Sequence, residues 1–438
     1  MIVLKIKVGH FGYKENVKNM DVQQIRRDIH QHPELGFTEF RTASIVVEKL
    51  QSFGFDVMYG KDVMDESACR GMPPKYEIEE AYHVALNEQA DAEIIKHMEG
   101  GFTGVIGKMS GNKQGSTVAF RFDMDALPII EAEDEGHVPF REDFHSLHKG
   151  KMHACGHDGH TAIGLKLAET LKDEDFAGTL LLIFQPAEEG GRGASSIAAN
   201  GVLDNIDKLY CMHLGLDAPQ GEVWCGTDGW LATTKINSTF HGVSSHAGVA
   251  PEKGKNALVG AATALLNIHA LPRYSDGKTR VNVGALNGGT ATNIIPDKAT
   301  MVIETRSDKA EINEDLEDRV KNIVEHSAKM HDLDYEIEIV GEGTTIQCDE
   351  SLINTAFEEA EELNLFSSVK RMGRATGSED ASILIKRVQE YGGEGTYMLI
   401  GTDLPAPHHH PAFDINEKSL HDAVKLLNRI ATKELIDK

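Results

Sequence analysis

Hydrophobic positions recur at helical spacing near the start of the chain. Val22 to His32 predicts a helix stopped by Pro33. Ile45, Val46, Leu50 and Phe53, with Gly54 behind them, predict a second over roughly Thr38–Phe53. From about 60 to 102 the chain is polar and helix-prone, an insertion ending at Gly100-Gly101 with no evident chemistry. Short apolar runs follow. Thr117–Phe122 ends in Asp123-Met124-Asp125, Thr179–Phe184 in Gln185-Pro186-Ala187-Glu188-Glu189, and Leu209–Met212 in His213. Thr396–Ile400 runs into a loop holding His408-His409-His410. Helical patterns at His160–Leu171 and Ser378–Val388 lie between them. Strands alternating with helices predict an α/β domain built on a doubly wound, mostly parallel sheet. Ligands bind such sheets at the carboxyl ends of the strands, and every polar cluster falls there.

Between about 232 and 341 the pattern changes. It reads strand (Thr234–Phe240), helix (Asn256–Leu271), strand (Arg280–Leu286), strand (Thr300–Arg306), helix (Ile312–Met330), strand (Tyr335–Val340). That βαββαβ order is the ferredoxin-like split motif. It predicts an inserted lid over 232–341, dividing a catalytic domain made of 1–231 and 342–438.

At 438 residues, two domains are the default. A net charge of −25 argues against nucleic acid or an acidic membrane as partner. An anionic substrate must then be caught by a few local Arg or His residues. Five scattered cysteines fit a reducing compartment, and Met1–Val8 carries no long apolar segment, so a cytoplasmic protein is expected.

The densest chemistry lies in Lys151–His160. If that stretch is extended, Cys155 and His157 point the same way and grip one centre, as thiolate and imidazole do for a borderline divalent metal. Taken singly, Cys155 reads as a buried thiol, Glu188-Glu189 as a solvated pair and His213 as a core histidine. Only the convergence on four strand ends raises them to candidates.

Several motifs together resemble the amidohydrolase family of dinuclear metallopeptidases, the branch of hippurate hydrolases, N-acyl-amino-acid and auxin-conjugate amidohydrolases and p-aminobenzoyl-glutamate hydrolases. They are Asp123-Met-Asp-Ala-Leu-Pro128, His153-Ala-Cys-Gly-His-Asp-Gly-His160, Gln185-Pro-Ala-Glu-Glu189, Ser245-His-Ala-Gly248 and Asn293-Ile-Ile-Pro296. The resemblance runs from about residue 22 to the C-terminus. The Arg70-Gly-Met-Pro and Glu99-Gly-Gly-Phe-Thr-Gly104 stretches of the insertion resemble the p-aminobenzoyl-glutamate hydrolase branch most. The family pattern implies metal ligands at Cys155, His157, Glu189, His213 and His409, the last chosen over His408 and His410 because it lies four before Phe413. These would hold two divalent ions, manganese as is frequent in this branch, or zinc, which thiolate and imidazole suit. It implies Glu188 as general base and Asp125 as the group that orients a ligand. His246 would stabilise the oxyanion, reaching the site from a partner protomer, and Asn293 with Arg306 would bind the substrate carboxylate. His30, His32, His153 and His160 are not expected to be ligands, and Glu379-Asp380 has no assigned role. The reaction implied is hydrolysis of an N-acyl amino acid amide, p-aminobenzoyl-glutamate above all. A broader aminoacylase and a non-catalytic binding subunit are the alternatives. The implied assembly is a homodimer or a heterodimer with a related B subunit.

Overall fold

The computed structural model describes residues 21–436; Met1–Val8 and the rest of the first twenty residues lie outside them. The strands in chain order are β1 (Asp56–Tyr59), β2 (Val105–Ser110), β3 (Lys113–Asp123), β4 (Ala177–Gln185), β5 (Lys208–Leu214), β6 (Glu222–Trp224) and β7 (Thr227–Asp228). They continue as β8 (Ala232–His241), β9 (Thr279–Gly288), β10 (Lys298–Ser307), β11 (Asp334–Gly343), β12 (Ser368–Lys370), β13 (Gly373–Arg374) and β14 (Glu394–Ile400). Eight of them form the central sheet in the order β1-β2-β4-β3-β5-β14-β6-β12. Its centre, β4-β3-β5-β14, is parallel, while β1, β2 and the β14–β6 pairing are antiparallel. The sheet is therefore mixed, with the parallel strands in the middle.

Both faces of that centre are apolar because both are covered. On one, Phe120, Phe122, Leu180, Leu182 and Phe184 pack against the helices Val22–Gln31, Phe40–Ser52, His157–Leu171 and Lys418–Leu435. On the other, Leu181, Ile183, Leu209 and Leu399 meet Ala194–Asn200 and Ala381–Glu390. The first helix starts with a reciprocal cap, Asp21 accepting from the backbone while Gln24 reaches back. The insertion packs onto the same core. Its helix Lys75–Asn87 follows Pro73-Pro74 and buries Ile78 and Ala85, and Ile94, Ile95 and Met98 join them.

Residues 232–343 form a second sheet, antiparallel throughout, in the order β11-β8-β10-β9. Helices Ala257–His269 and Ala310–Met330 cover one of its faces around Ile236, Phe240, Met301, Ile303, Val320 and Val324.

Residues 155–157 are not extended. Gly156 has φ 92° and Cys155 sits in a bend, so the chain turns sharply and His157 opens a helix instead. A left-handed residue at this point favours glycine. Cys155 and His157 are brought together by that turn and not by strand alternation.

Candidate metal centre

The centre of the sheet delivers its polar ends to one place. β3 ends at Asp123, with Asp125 just beyond; β4 leads to Glu188-Glu189; β5 carries His213; the loop after β14 carries His408 and His409. Ligand-capable atoms of Cys155, His157 and Glu189 lie within 4.8 Å of one another, as do those of Cys155, His213 and His408. A cavity of about 330 Å³ opens onto Cys155, Glu188, Glu189, His213, His408 and His409.

Hydrogen bonds decide which nitrogen each ring turns inward. His157 donates from Nδ1 to the carbonyl of Asp125 at 2.9 Å, and His213 from Nδ1 to that of Leu214 at 2.8 Å. Both leave Nε2 with a free lone pair, and His213 Nε2 stands 3.5 Å from Cys155 Sγ. His408 is set the other way. Its Nε2 accepts the N–H of Leu216 at 3.0 Å, so Nδ1 of the neutral ring carries the proton and faces Cys155 Sγ at 3.5 Å. His409 is half-exposed, with φ 64°, and its Nε2 lies 3.3 Å from Glu189 Oε1.

The cluster has atoms that a cation would satisfy. His157 Nε2 and Glu189 Oε1 are buried without a hydrogen-bond partner, a costly state for polar atoms. Thiolate, imidazole and carboxylate are the donor set of borderline divalent ions. The residues fit a metal.

Asp125 accepts the N–H of Glu188 on one carboxylate oxygen and the N–H of Glu189 on the other, each at 3.0 Å. That clamp, with Ala187 at φ 51°, sends the two neighbouring carboxylates in different directions. Glu188 faces Glu379 and Asp380, within 4.8 Å. Burial first, then the charges of Glu379, Glu189 and Asp380, push its carboxyl well above the usual range.

Glu379 and Asp380 are held by Arg121, a residue the motifs do not single out. Arg121 is fully buried in β3 and reaches Asp123 at 2.6 Å, Glu379 at 3.1 Å and Asp380 at 3.4 Å. Its one signal in the sequence is a charge within the otherwise apolar run Thr117–Phe122. Glu39 is a second such residue. It binds Thr103 and the N–H of Ala187, and burial together with the Asp125 charge lifts it to about 8.

The histidines not expected to be ligands have other roles. His160 bonds Asp123 at 2.6 Å and accepts from Leu214 N–H at 3.0 Å, so both nitrogens are used. His30 bridges Asp158 and Glu131. His32 bonds the Asp28 carbonyl. Burial drives His153 down to about 3, which keeps it neutral.

The residues expected to handle substrate divide. Arg306 lines the metal cavity. His246 and Asn293 do not; they sit side by side and exposed on loops that join the strands and helices of the second sheet. There His246 pairs with Ile294, and the Ala247 N–H donates to the Asn293 carbonyl at 3.0 Å.

A model of the peptidase family M20/M25/M40 matches residues 119–433. Over 410 residues the chain is 41% identical to the indole-3-acetyl-aspartic acid hydrolase of Enterobacter agglomerans, covering 93% of this chain and 94% of that protein. Over 409 residues it is 40% identical to the A subunit of the p-aminobenzoyl-glutamate hydrolase of Escherichia coli, with the same coverage. The aminobenzoyl-glutamate utilization protein of Klebsiella pneumoniae superposes with a TM-score of 0.82 at 36% identity, over 94% of this chain and 95% of that one. A dinuclear metal-binding peptidase of family M20 from Bacillus subtilis superposes at 0.64 with 25% identity, over 94% and 97%. The chain belongs to the M20/M25/M40 peptidase family.

Proposed function

We propose that the protein is a metal-dependent amidohydrolase that cleaves the amide of an N-acyl amino acid, p-aminobenzoyl-glutamate first among them. The observation that carries this reading is the buried junction of Cys155, His157, Glu189 and His213, with two orphaned ligand atoms, beside the free carboxylate of Glu188. The relatives at 40–41% identity are named for cleaving amides of glutamate and aspartate.

Cys155, His157, Glu189, His213 and His409 would hold two divalent cations. His409 is preferred to His408 because the Leu216 contact leaves His408 Nδ1 protonated. Once bound, the cations supply Lewis-acid polarisation of the scissile carbonyl and activation of water. A thiolate suits zinc, while the branch resembled suggests manganese. Glu188 would take the proton from the attacking water and return it to the leaving amine nitrogen. Asp125 positions Glu188 and Glu189 together through their N–H groups.

The second sheet is read as an inserted lid and dimerisation domain of ferredoxin-like order, spanning 232–341 between catalytic segments 1–231 and 342–438. His246 and Asn293 are exposed on it, away from their own metal cavity. A partner protomer, identical or a related B subunit, would receive them, with His246 stabilising the oxyanion there. Arg306 binds the substrate carboxylate. No helix among the described residues is long and apolar enough to cross a membrane. The five free cysteines fit a reducing, cytoplasmic compartment.

The test is hydrolysis of a panel of N-acyl amino acids by enzyme loaded with manganese or zinc. Release of glutamate from p-aminobenzoyl-glutamate is expected. Activity confined to N-acetyl or N-benzoyl monocarboxylic amino acids would favour an aminoacylase instead. No turnover on any amide, with both metals bound, would sink the enzymatic reading.

A further inference from the structure

Lys235 lies on β8 directly opposite Glu304 of β10, and Thr233 lies opposite Arg306. Directly opposed residues of antiparallel strands share a face, as do alternate residues of one strand. Lys235, Thr233, Glu304 and Arg306 therefore stand on the face of the second sheet that its helices leave open. Where that face meets the catalytic domain, Lys235, Thr233 and Arg306 line the same cavity as Cys155, Glu188 and His213.

The approach is set by backbone. The register between β11 and β8 shifts between Ile339 and Gly341, and the N–H of Glu342 then donates to the Gly191 carbonyl at 2.8 Å. A Cβ at position 341 would lie 2.1 Å from the carbonyl oxygen of Gly190 and 3.2 Å from Cδ of Lys235. Only glycine permits this contact, and it brings the lysine stem beside the residue that follows Glu189.

The charges in the cavity are accounted for except one. Glu342 is taken by Arg70 at 2.6 Å and by Ser195 at 2.7 Å. Glu379 and Asp380 are taken by Arg121, and Glu304 by Arg306 at 2.8 Å. Glu189 faces Cys155 and His157, and Glu188 faces Glu379 and Asp380. Among the described residues, Lys235 has no hydrogen bond or ion pair, although Glu304 stands across from it.

We propose that Lys235 binds the side-chain carboxylate of the amino acid being released, while Arg306 binds its α-carboxylate. The substrates are then N-acyl derivatives of acidic amino acids. This rests on the N-acyl amino acid reading given above. An amino acid with one carboxylate on Arg306 leaves Lys235 without a partner; a dicarboxylate engages both cations.

The experiment compares an N-acyl-glutamate with its N-acyl-glutamine isostere, which has the same shape and no second charge. The wild type is expected to prefer the glutamate in kcat/KM. Lys235→Met should cut that preference by about 10- to 100-fold, the worth of a hydrogen bond to a charged group. Lys235→Arg should retain most of it. Metal content and melting temperature, measured alongside, identify a misfolded variant. Two results overturn the proposal: a preference for glutamate that survives in Lys235→Met, or a wild type indifferent between the two amides. The second leaves N-acyl amino acid hydrolysis standing. Calorimetry with free glutamate and free glutamine on both proteins gives a readout independent of turnover. Equal binding of glutamate to wild type and Lys235→Met overturns the assignment whether or not any amide is cleaved.

Discussion

The two groups of candidate residues occupy opposite physical settings. Cys155 and His157 sit in the turn that opens a helix, Glu188 and Glu189 just beyond the end of β4 and His213 near the end of β5, each fixed by a named hydrogen bond or a neighbouring charge. His246 and Asn293 lie exposed on the loops of the second sheet, the His246 ring accepting the N–H of Gly248 at 3.1 Å. A cluster buried in its own chain is built by folding alone. A histidine presented to solvent, away from its own metal cavity, does chemistry only after something else comes to it. The contrast is between a part that folding buries and a part that the proposed function hands to a partner protomer.

The sharpest way to break that contrast is to attack the buried half. Cys155→Ala should lose metal and activity together, whereas Cys69→Ala, in the insertion, should lose neither. Metal analysis of the two purified variants decides; equal metal in wild type and Cys155→Ala would remove the thiol from the ligand set. Glu188→Gln keeps the shape and removes the proton acceptor, so kcat should fall by about 10²–10⁴-fold at unchanged metal content. Near-native turnover would mean another group is the base.

For the exposed half, His246→Ala should keep fold and metals and lose about 10²–10³-fold in kcat. Mixing it with Glu188→Gln should restore part of the activity, since one hybrid site then has both residues intact. A mixture that exchanges protomers yet stays inactive would place His246 in its own chain's site.

The smallest effect sharpens the claim that the interior is self-sufficient. Burial opposes a charge on His30, but hydrogen bonds to Asp158 and Glu131 win and raise it to about 9. A histidine raised in the folded state stabilises fully below its unfolded pKa of about 6.5 and loses that contribution as pH climbs through 9. Urea unfolding between pH 6 and 9.5 should therefore show stability falling with pH. His30→Gln should flatten the slope; an equal slope in both proteins would detach His30 from it.

Much of this was legible because the signals were local. Buried strands read as unbroken apolar runs, and Thr179–Phe184 and Thr396–Ile400 fall inside the strands observed. The second sheet read as strands because its residues alternate between a covered and an open face. Two things were not legible. The Cys155–His157 geometry was misread, because alternation assumes an extended chain and Gly156 bends it. The antiparallel partners β1 and β2 went unseen or unplaced, since pairing direction depends on distant strands and leaves no periodic mark. Arg121 escaped for a related reason. Its partners Glu379 and Asp380 lie more than 250 residues away, and only folding shows that its charge is matched.

Asp125 has a further consequence. Its two oxygens hold consecutive N–H groups, so the proposed base and a proposed ligand hang from one yoke. Their spacing is a property of the peptide unit between them and cannot drift one atom at a time. Shortening the yoke to a single oxygen, as in Asp125→Asn, should loosen both residues at once. Combined with a change at Glu188 or Glu189, its effects should not add, because the second change acts on a unit already released.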